Sequence, residues 1–176
     1  MELKSGNILL RPLRLADAER LAELANNEKI SVNLRDGFPH PYTLDDAKSF
    51  LQRFSGQEPI TFFGIDYNGE YAGNISLVMG QDIYRKSAEI GYFLGEPYWN
   101  KGIATTAVNL ITEYAYNKLG IIRIHTGIFE YNTASMRVLE KCGFKKEGVF
   151  SKSVFKQNNI WDEIRYAKIN PIFDKG

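Results

Sequence analysis

The chain of 176 residues is poor in cysteine and histidine, has no surplus of charge, and contains no long hydrophobic run. One cysteine, Cys142, excludes an internal disulfide and fits a reducing compartment. It precedes Gly143-Phe144 with no flanking histidine, which suits a small packed residue better than a nucleophile. The 22 basic and 21 acidic residues leave a formal net charge of +1, and no basic run is interleaved with aromatics, so nothing calls for nucleic acid. No apolar stretch is long enough to span a membrane, and Met1-Glu2-Leu3-Lys4-Ser5-Gly6 lacks the apolar core of a signal peptide. The expectation is a cytoplasmic protein with no membrane partner. Repeats, linkers and low-complexity tracts are also lacking, so a single domain over 1–176 is expected, long enough to bury a core. Neither Gly-Lys-Ser/Thr nor Gly-x-Gly-x-x-Gly occurs, which disfavours ATP and NAD as ligands.

What is present is a regular alternation of strand and helix signals. Asn7–Leu13 reads as a strand, and Ala16–Asn27 as a helix with Ala18, Leu21, Ala22, Leu24 and Ala25 on one face. Ile30–Tyr42, with Gly37, Pro39 and Pro41, reads as irregular. Thr43 is placed to cap a helix running to about Phe54. Ile60–Tyr67 and Tyr71–Met79 flank Asn68-Gly69, a hairpin signal. Ala88–Leu94, a helix from Ile103 closed by Asn117 to Gly120, and Ile121–Phe129 form a strand–helix–strand unit, for which parallel pairing is expected. Asn132–Lys141 is a further helix ended by Gly143. Glu147–Lys156 and Ile160–Lys168 close the chain as a hairpin about Asn158-Asn159.

The joint between Ala88–Leu94 and the helix at Ile103 holds the strongest chemical signal. Gly95, Pro97 and Gly102 form a tight turn, and no acidic residue lies between Glu96 and Glu113. A helix N-terminus reached through such a turn presents backbone N–H groups and the positive end of the helix dipole, which suits a phosphate or pyrophosphate; taken alone, the same pattern is equally an ordinary strand–loop–helix joint. Trp99-Asn100-Lys101-Gly102-Ile103-Ala104 resembles the Arg/Gln-x-x-Gly-x-Gly/Ala motif of the GNAT acyl-CoA N-acyltransferases, with Trp99 replacing the Arg or Gln. Three further matches follow in order: Arg11-Pro12-Leu13-Arg14 with Asp17-Ala18, Asn132-x-x-Ser135, and Leu139-Glu140-Lys141-Cys142-Gly143-Phe144. Together they resemble the branch of ribosomal-protein N-terminal acetyltransferases, the RimJ/RimL type, which often has an aromatic or varied residue at the position of Trp99.

The resemblance implies an α+β fold in α/β/α layers along nearly the full chain. Its mixed, mostly antiparallel sheet has a central parallel pair, the family's fourth and fifth strands, which splays apart. It implies acetyl-CoA as co-substrate, no metal, and direct transfer to a primary amine without an acyl-enzyme; accordingly no Cys/His or Ser/His/Asp set lies near the motifs. The amides of Asn100, Lys101, Gly102, Ile103, Ala104 and Thr105 would hold the pyrophosphate, and an N–H near Phe93 or Leu94 would polarise the thioester carbonyl. Glu89, in the Ala-Glu-Ile of this strand, aligns with the catalytic glutamate of histone-type members; it is either the base or a carboxylate paired with Arg123, Arg85 or Lys86. Glu130 and His125 are reserves, His125 being otherwise a packed or surface histidine in mid-strand. Many members protonate the leaving thiolate with a tyrosine where this chain has Leu139; Ser135, one turn earlier, is the substitute, unless it only caps its helix. Asn132 would cap that helix or bind the pantetheine amide, and Arg137 and Lys141 face either the 3′-phosphate or solvent. Phe38, His40, Tyr42, Trp161 and Asp162 lie in the regions that form the acceptor side in relatives, Asp162 being either part of that side or a residue that stabilises its hairpin. A protein N-terminal α-amine is the acceptor this branch implies. The alternatives are a polyamine, an amino sugar or an amino acid, or a non-catalytic acyl-CoA sensor; a homodimer is also allowed.

Overall fold

Leu3–Ser5 and Ile8–Pro12 meet about the Gly6 turn, and this short hairpin starts the sheet. The computed structural model describes residues 1–174. The strands are β1 (Leu3–Ser5), β2 (Ile8–Pro12), β3 (Phe62–Tyr67), β4 (Glu70–Met79), β5 (Ser87–Leu94), β6 (Arg123–Phe129), β7 (Lys145–Lys156) and β8 (Asn159–Ile169). The helices are α1 (Ala18–Ala25), α2 (Glu28–Ser31), α3 (Leu44–Phe54), α4 (Ile103–Asn117) and α5 (Thr133–Lys141). The eight strands are ordered β1-β2-β3-β4-β5-β6-β8-β7. The β1–β2, β2–β3, β3–β4, β6–β8 and β7–β8 pairs are antiparallel and β5–β6 is parallel, so the expected mixed α+β fold with a central parallel pair is the one observed. Two elements differ from expectation. β1 is too short to show a period, and α2 occupies the start of the stretch expected to be irregular, where Asn27 Oδ1 caps it by accepting from Lys29 N at 2.9 Å.

The chain divides into two compact units. The first comprises Met1–Ser76 and Tyr92–Leu110. α1 turns Ala18, Leu21, Leu24 and Ala25 inward at helical spacing and packs against α3. Leu10, Leu51, Phe63, Ile65 and Ile75 complete this core with little or no exposure. Arg11 lies within it. Its Nε donates to Asp66 at 2.7 Å, and its two terminal nitrogens donate to Asp17 at 2.8 and 2.7 Å. Burial pulls against the guanidinium charge, but the two carboxylates outweigh it and hold the pKa above its ordinary value. Asp17 also accepts from the Arg14 amide at 2.9 Å, so one carboxylate both neutralises Arg11 and shapes the entry to α1.

The second unit comprises Leu77–Gly91 and the chain from Ile111 onward. β6 pairs on one side with β5 and on the other with β8, in a register running from Arg123↔Ile169 to Phe129↔Glu163. Ile111, Ile121, Ile124 and Leu139 form its core. α5 is tied down at its end: Tyr166 donates to Glu140 at 2.7 Å and Lys168 to the Cys142 carbonyl at 2.7 Å. The β7–β8 ladder shifts register twice, between Lys146 and Gly148 and between Phe150 and Val154. Asp162 accepts from the Lys152 amide at 2.8 Å within the second shift, where Lys152 has a positive φ of 52°.

Candidate active site

In the first unit β5 delivers the chain to α4 through a turn with little room. Gly95 N donates to Ala72 O at 2.9 Å, and a Cβ added at Gly95 would lie 2.5 Å from Leu24 Cδ2. A Cβ at Gly73 would lie 2.2 Å from the Phe93 carbonyl oxygen, so β4 approaches the end of β5 more closely than any side chain allows. Glu96–Tyr98 form one tight helical turn. Asn100 and Gly102 then take positive φ values of 59° and 75°, the chain reverses, and α4 starts at Ile103, with Thr106 N bonded to Gly102 O at 3.1 Å. Ile103 is buried and anchors the start, whereas Asn100, Lys101 and Gly102 are exposed, and a Cβ at Gly102 would meet nothing within 4 Å. The first turn of α4 contains no acidic residue. Exposed backbone before a fifteen-residue helix, with no negative side chain at its start, is an environment suited to an anion.

The loop is braced by its own side chains. Glu96 accepts from Asn27 Nδ2 at 2.7 Å and from Lys29, which holds its carboxyl below the usual range. Tyr98 accepts from Arg20 at 3.0 Å and donates to Glu70 at 3.2 Å. The Lys101 ammonium lies about 6 Å over the rings of Tyr67 and Tyr98, so its side chain is directed at these aromatics. Phe93 is buried and meets Phe38 edge-on at 5.5 Å; Phe38 in turn packs on Tyr42 at 4.8 Å. Leu94 is buried beside it in sequence.

In the second unit the parallel β5–β6 register contains three pairs, Ser87↔Arg123, Ala88↔Ile124 and Glu89↔His125. Glu89 is half-buried and sits at the last of them, while β5 continues to Leu94 and β6 to Phe129. Burial pushes the His125 imidazole below its ordinary pKa; Glu89 opposes that, while Arg165 and Arg123 add to it and Glu147 opposes it. The buried His125 Nδ1 has no hydrogen-bond partner among the described residues. Arg123, one expected partner for Glu89, gives two hydrogen bonds to Glu147, and Arg85 donates to the Asp82 carbonyl at 2.9 Å.

On α5, Asn132 Oδ1 accepts from Ser135 N at 3.2 Å, so Asn132 is the cap and Ser135 occupies the first turn, half-buried. Arg137 and Lys141 are exposed. Leu139 is fully buried. Glu130 serves the scaffold: its carboxylate accepts from Asp162 N at 2.9 Å, and its amide donates to Asp162 O at 3.1 Å. Asp162 likewise holds the hairpin through Lys152. Trp161 meets Tyr131 edge-on at 4.8 Å.

The architecture agrees with the similarities of the whole chain. Residues 7–145 match the acetyltransferase (GNAT) domain. A probable N-acetyltransferase of Bacillus subtilis (strain 168), YjcK, is 35% identical over 181 residues, covering 96% of this chain and 97% of that protein. The spermidine N(1)-acetyltransferase of Escherichia coli (strain K12) is 25% identical, covering 90% of this chain and 84% of its own. Among solved structures, the microcin C7 self-immunity acetyltransferase MccE, in complex with acetyl-CoA and AMP, superimposes with a TM-score of 0.79 at 28% identity, covering 94% of each chain. RimL, the ribosomal L7/L12 α-N-protein acetyltransferase in complex with coenzyme A, shares the fold at 20% identity with a TM-score of 0.84, covering 96% of this chain and 98% of that one. With this family match over most of its length and a relative above 30% identity across nearly all of it, the chain belongs to the GNAT acetyltransferases and is an N-acetyltransferase.

Proposed function

We propose that the chain transfers acetyl from acetyl-CoA directly to a primary amine. The observation that supports this best is the turn into α4, with positive φ at Asn100 and Gly102, open space at Gly102 and no acid in the helix's first turn. Amides from Asn100 to Thr105 would hold the pyrophosphate, and the N–H of Phe93 or Leu94 would polarise the thioester carbonyl. Asn132, whose amide nitrogen is not the atom that caps α5, would bind the pantetheine chain, and Arg137 the 3′-phosphate. Bound acetyl-CoA supplies an activated acyl group; the chain's residues handle the protons. Glu89 takes the amine proton, directly or through water, and the Ser135 hydroxyl donates to the leaving sulfur. His125 is a second candidate base, favoured by its place opposite Glu89 and by burial that pushes its imidazole below the ordinary pKa.

The acceptor we propose is a protein or peptide α-amine. With a reference pKa near 8, about a tenth of it is neutral at pH 7, whereas a lysine amine near 10.4 needs over a hundredfold more help. A polyamine or other small amine is the second reading, favoured by the likeness to a spermidine acetyltransferase. A screen of peptides with free N-termini, polyamines and amino sugars, read by thiol release, separates the two. On the acceptor that responds, Glu89→Gln should lower turnover by ~10²-fold with coenzyme affinity nearly unchanged, and the loss should shrink as pH approaches the amine's pKa. Ser135→Ala should cost less, and its deficit should not recover with pH. Full activity of Glu89→Gln near neutral pH would remove Glu89 as base; His125→Gln would then be the variant to assay.

A further inference from the structure

We infer that Trp99 is a positioning residue that closes the phosphate loop onto the end of β5; this rests on the reading of residues 95–105 as the coenzyme loop. Its indole Nε1 donates to the Leu94 carbonyl at 2.8 Å. An indole has a donor and no acceptor, so this contact uses its whole hydrogen-bonding capacity. Leu94 is the last residue of β5, and Trp99 directly precedes the two positive-φ turns at Asn100 and Gly102. The contact therefore joins the point where the chain leaves the strand to the point where it turns toward α4.

The other side-chain bonds of the loop act elsewhere. Glu96 is held to Asn27 and Lys29, and Tyr98 to Arg20 and Glu70, so the descending limb is tied outward to α1, α2 and β4. Within the backbone, Tyr98 N bonds to Gly95 O at 2.9 Å and Trp99 N to Glu96 O at 3.2 Å, which shapes the first turn alone. Trp99 carries the constraint inward and sets the spacing between the strand end and Asn100. The amides that follow are aimed by that spacing. Trp99 is half-buried, so its ring shields the bond from competing water. The residue that departs from the family motif is thus not idle in this chain: its side chain is directed at the loop's own main chain.

The consequence is a split between affinity and turnover. Trp99→Phe keeps a ring and removes the N–H, so the loop's amides lose preorganisation while Glu89 and Ser135 are untouched. Coenzyme A binding, measured by calorimetry, should weaken roughly five- to tenfold, with a matching rise in KM for acetyl-CoA and kcat at saturation within about twofold. A lower melting temperature of the ligand-free variant with unchanged coenzyme A affinity would overturn the inference, because a purely structural tryptophan behaves that way. Wild type that binds coenzyme A beside an equally tight Trp99→Phe also overturns it and leaves the coenzyme loop standing. Wild type that fails to bind coenzyme A overturns both. Should the variant not fold, the wild-type protein supplies the readout through hydrogen exchange of its two indole N–H groups, assigned by loss of one signal in Trp161→Phe. The Trp99 N–H should exchange slowly without ligand and more slowly with coenzyme A; exchange at the rate of a solvent-exposed indole would refute the contact.

Discussion

Two helices of the first unit begin in opposite ways. α3 satisfies its own start: Thr43 Oγ1 accepts from Asp46 N at 3.2 Å, Asp46 accepts from Thr43 N at 2.8 Å, and Asp45 adds a second carboxylate to the first turn. α4 opens on a glycine, with exposed backbone before it and no acid in its first turn. Both starts carry the same partial positive charge. In α3 the local sequence offsets it with a capping box and two carboxylates, so its exposed amides are satisfied from within. In α4 no acidic side chain of the first turn offsets it, and side-chain bonds of Glu96, Tyr98 and Trp99 hold the loop before the helix instead. The same physics gives a structural joint in one place and a candidate binding site in the other, and the difference lies in two or three side chains.

The helix starts can be altered one by one. The largest effect is expected at α1, where Asp17 is committed to a buried cation. Arg11→Met would leave Asp17 and Asp66 buried without their partner, and urea denaturation should show a loss of about 3–5 kcal/mol. Next comes Gly102→Glu, which gives α4 the negative charge that α3 already has. Saturating acetyl-CoA at a hundredfold over its Kd should stabilise wild type by about 2.7 kcal/mol, and the variant should show no such protection. Gly102→Ala shares the strain of a positive φ without the charge and separates the two causes; equal protection of wild type and Gly102→Glu would remove the phosphate loop. Thr43→Ala, at the self-satisfied start, should cost about 1 kcal/mol of stability and leave acetyl-CoA affinity unchanged. Smallest is a pH effect. Hydrogen bonds from the Thr43 side chain and backbone hold the Asp46 carboxyl below its ordinary 3.8, so its contribution is present above about pH 4 and is lost as pH falls through the lower folded value. The melting temperatures of wild type and Asp46→Asn should therefore converge toward acid pH and separate above it.

Elements whose signals are local were legible in the sequence. α3 is the clearest case: the sequence places Thr43 as the cap of a helix running to about Phe54, and the helix spans Leu44–Phe54. The loop into α4 was legible for the same reason: glycine spacing and the lack of acids are properties of one continuous stretch. Contacts that depend on the fold were not. Arg11 and Asp17 could be recognised as a motif, but their third partner, Asp66, lies 55 residues from Arg11 and joins only when β2 pairs with β3. Trp99 could be seen as a departure from a motif, while its use required knowing that Leu94 O ends a strand within reach. The bond from the Asp162 amide in β8 to the Glu130 carboxylate was equally hidden, because it exists only once β8 lies beside β6. The placement of Glu89 opposite His125 is likewise a matter of register, which a strand pattern alone does not specify.

The single cysteine has a practical corollary for anyone who follows acetyl transfer by colour. Cys142 is buried at the end of α5, and burial pushes its thiol up while Lys168 pulls it the other way. A disulfide dye that titrates released coenzyme thiol reacts with thiolates it can reach. Cys142 answers such a dye only when the junction of α5 and Gly143 opens, so the folded protein contributes a slow baseline beneath a fast product signal. Read without substrate, that baseline becomes a stopwatch for the opening itself: its rate, compared with that of a small exposed thiol, measures how often this corner of the protein comes apart.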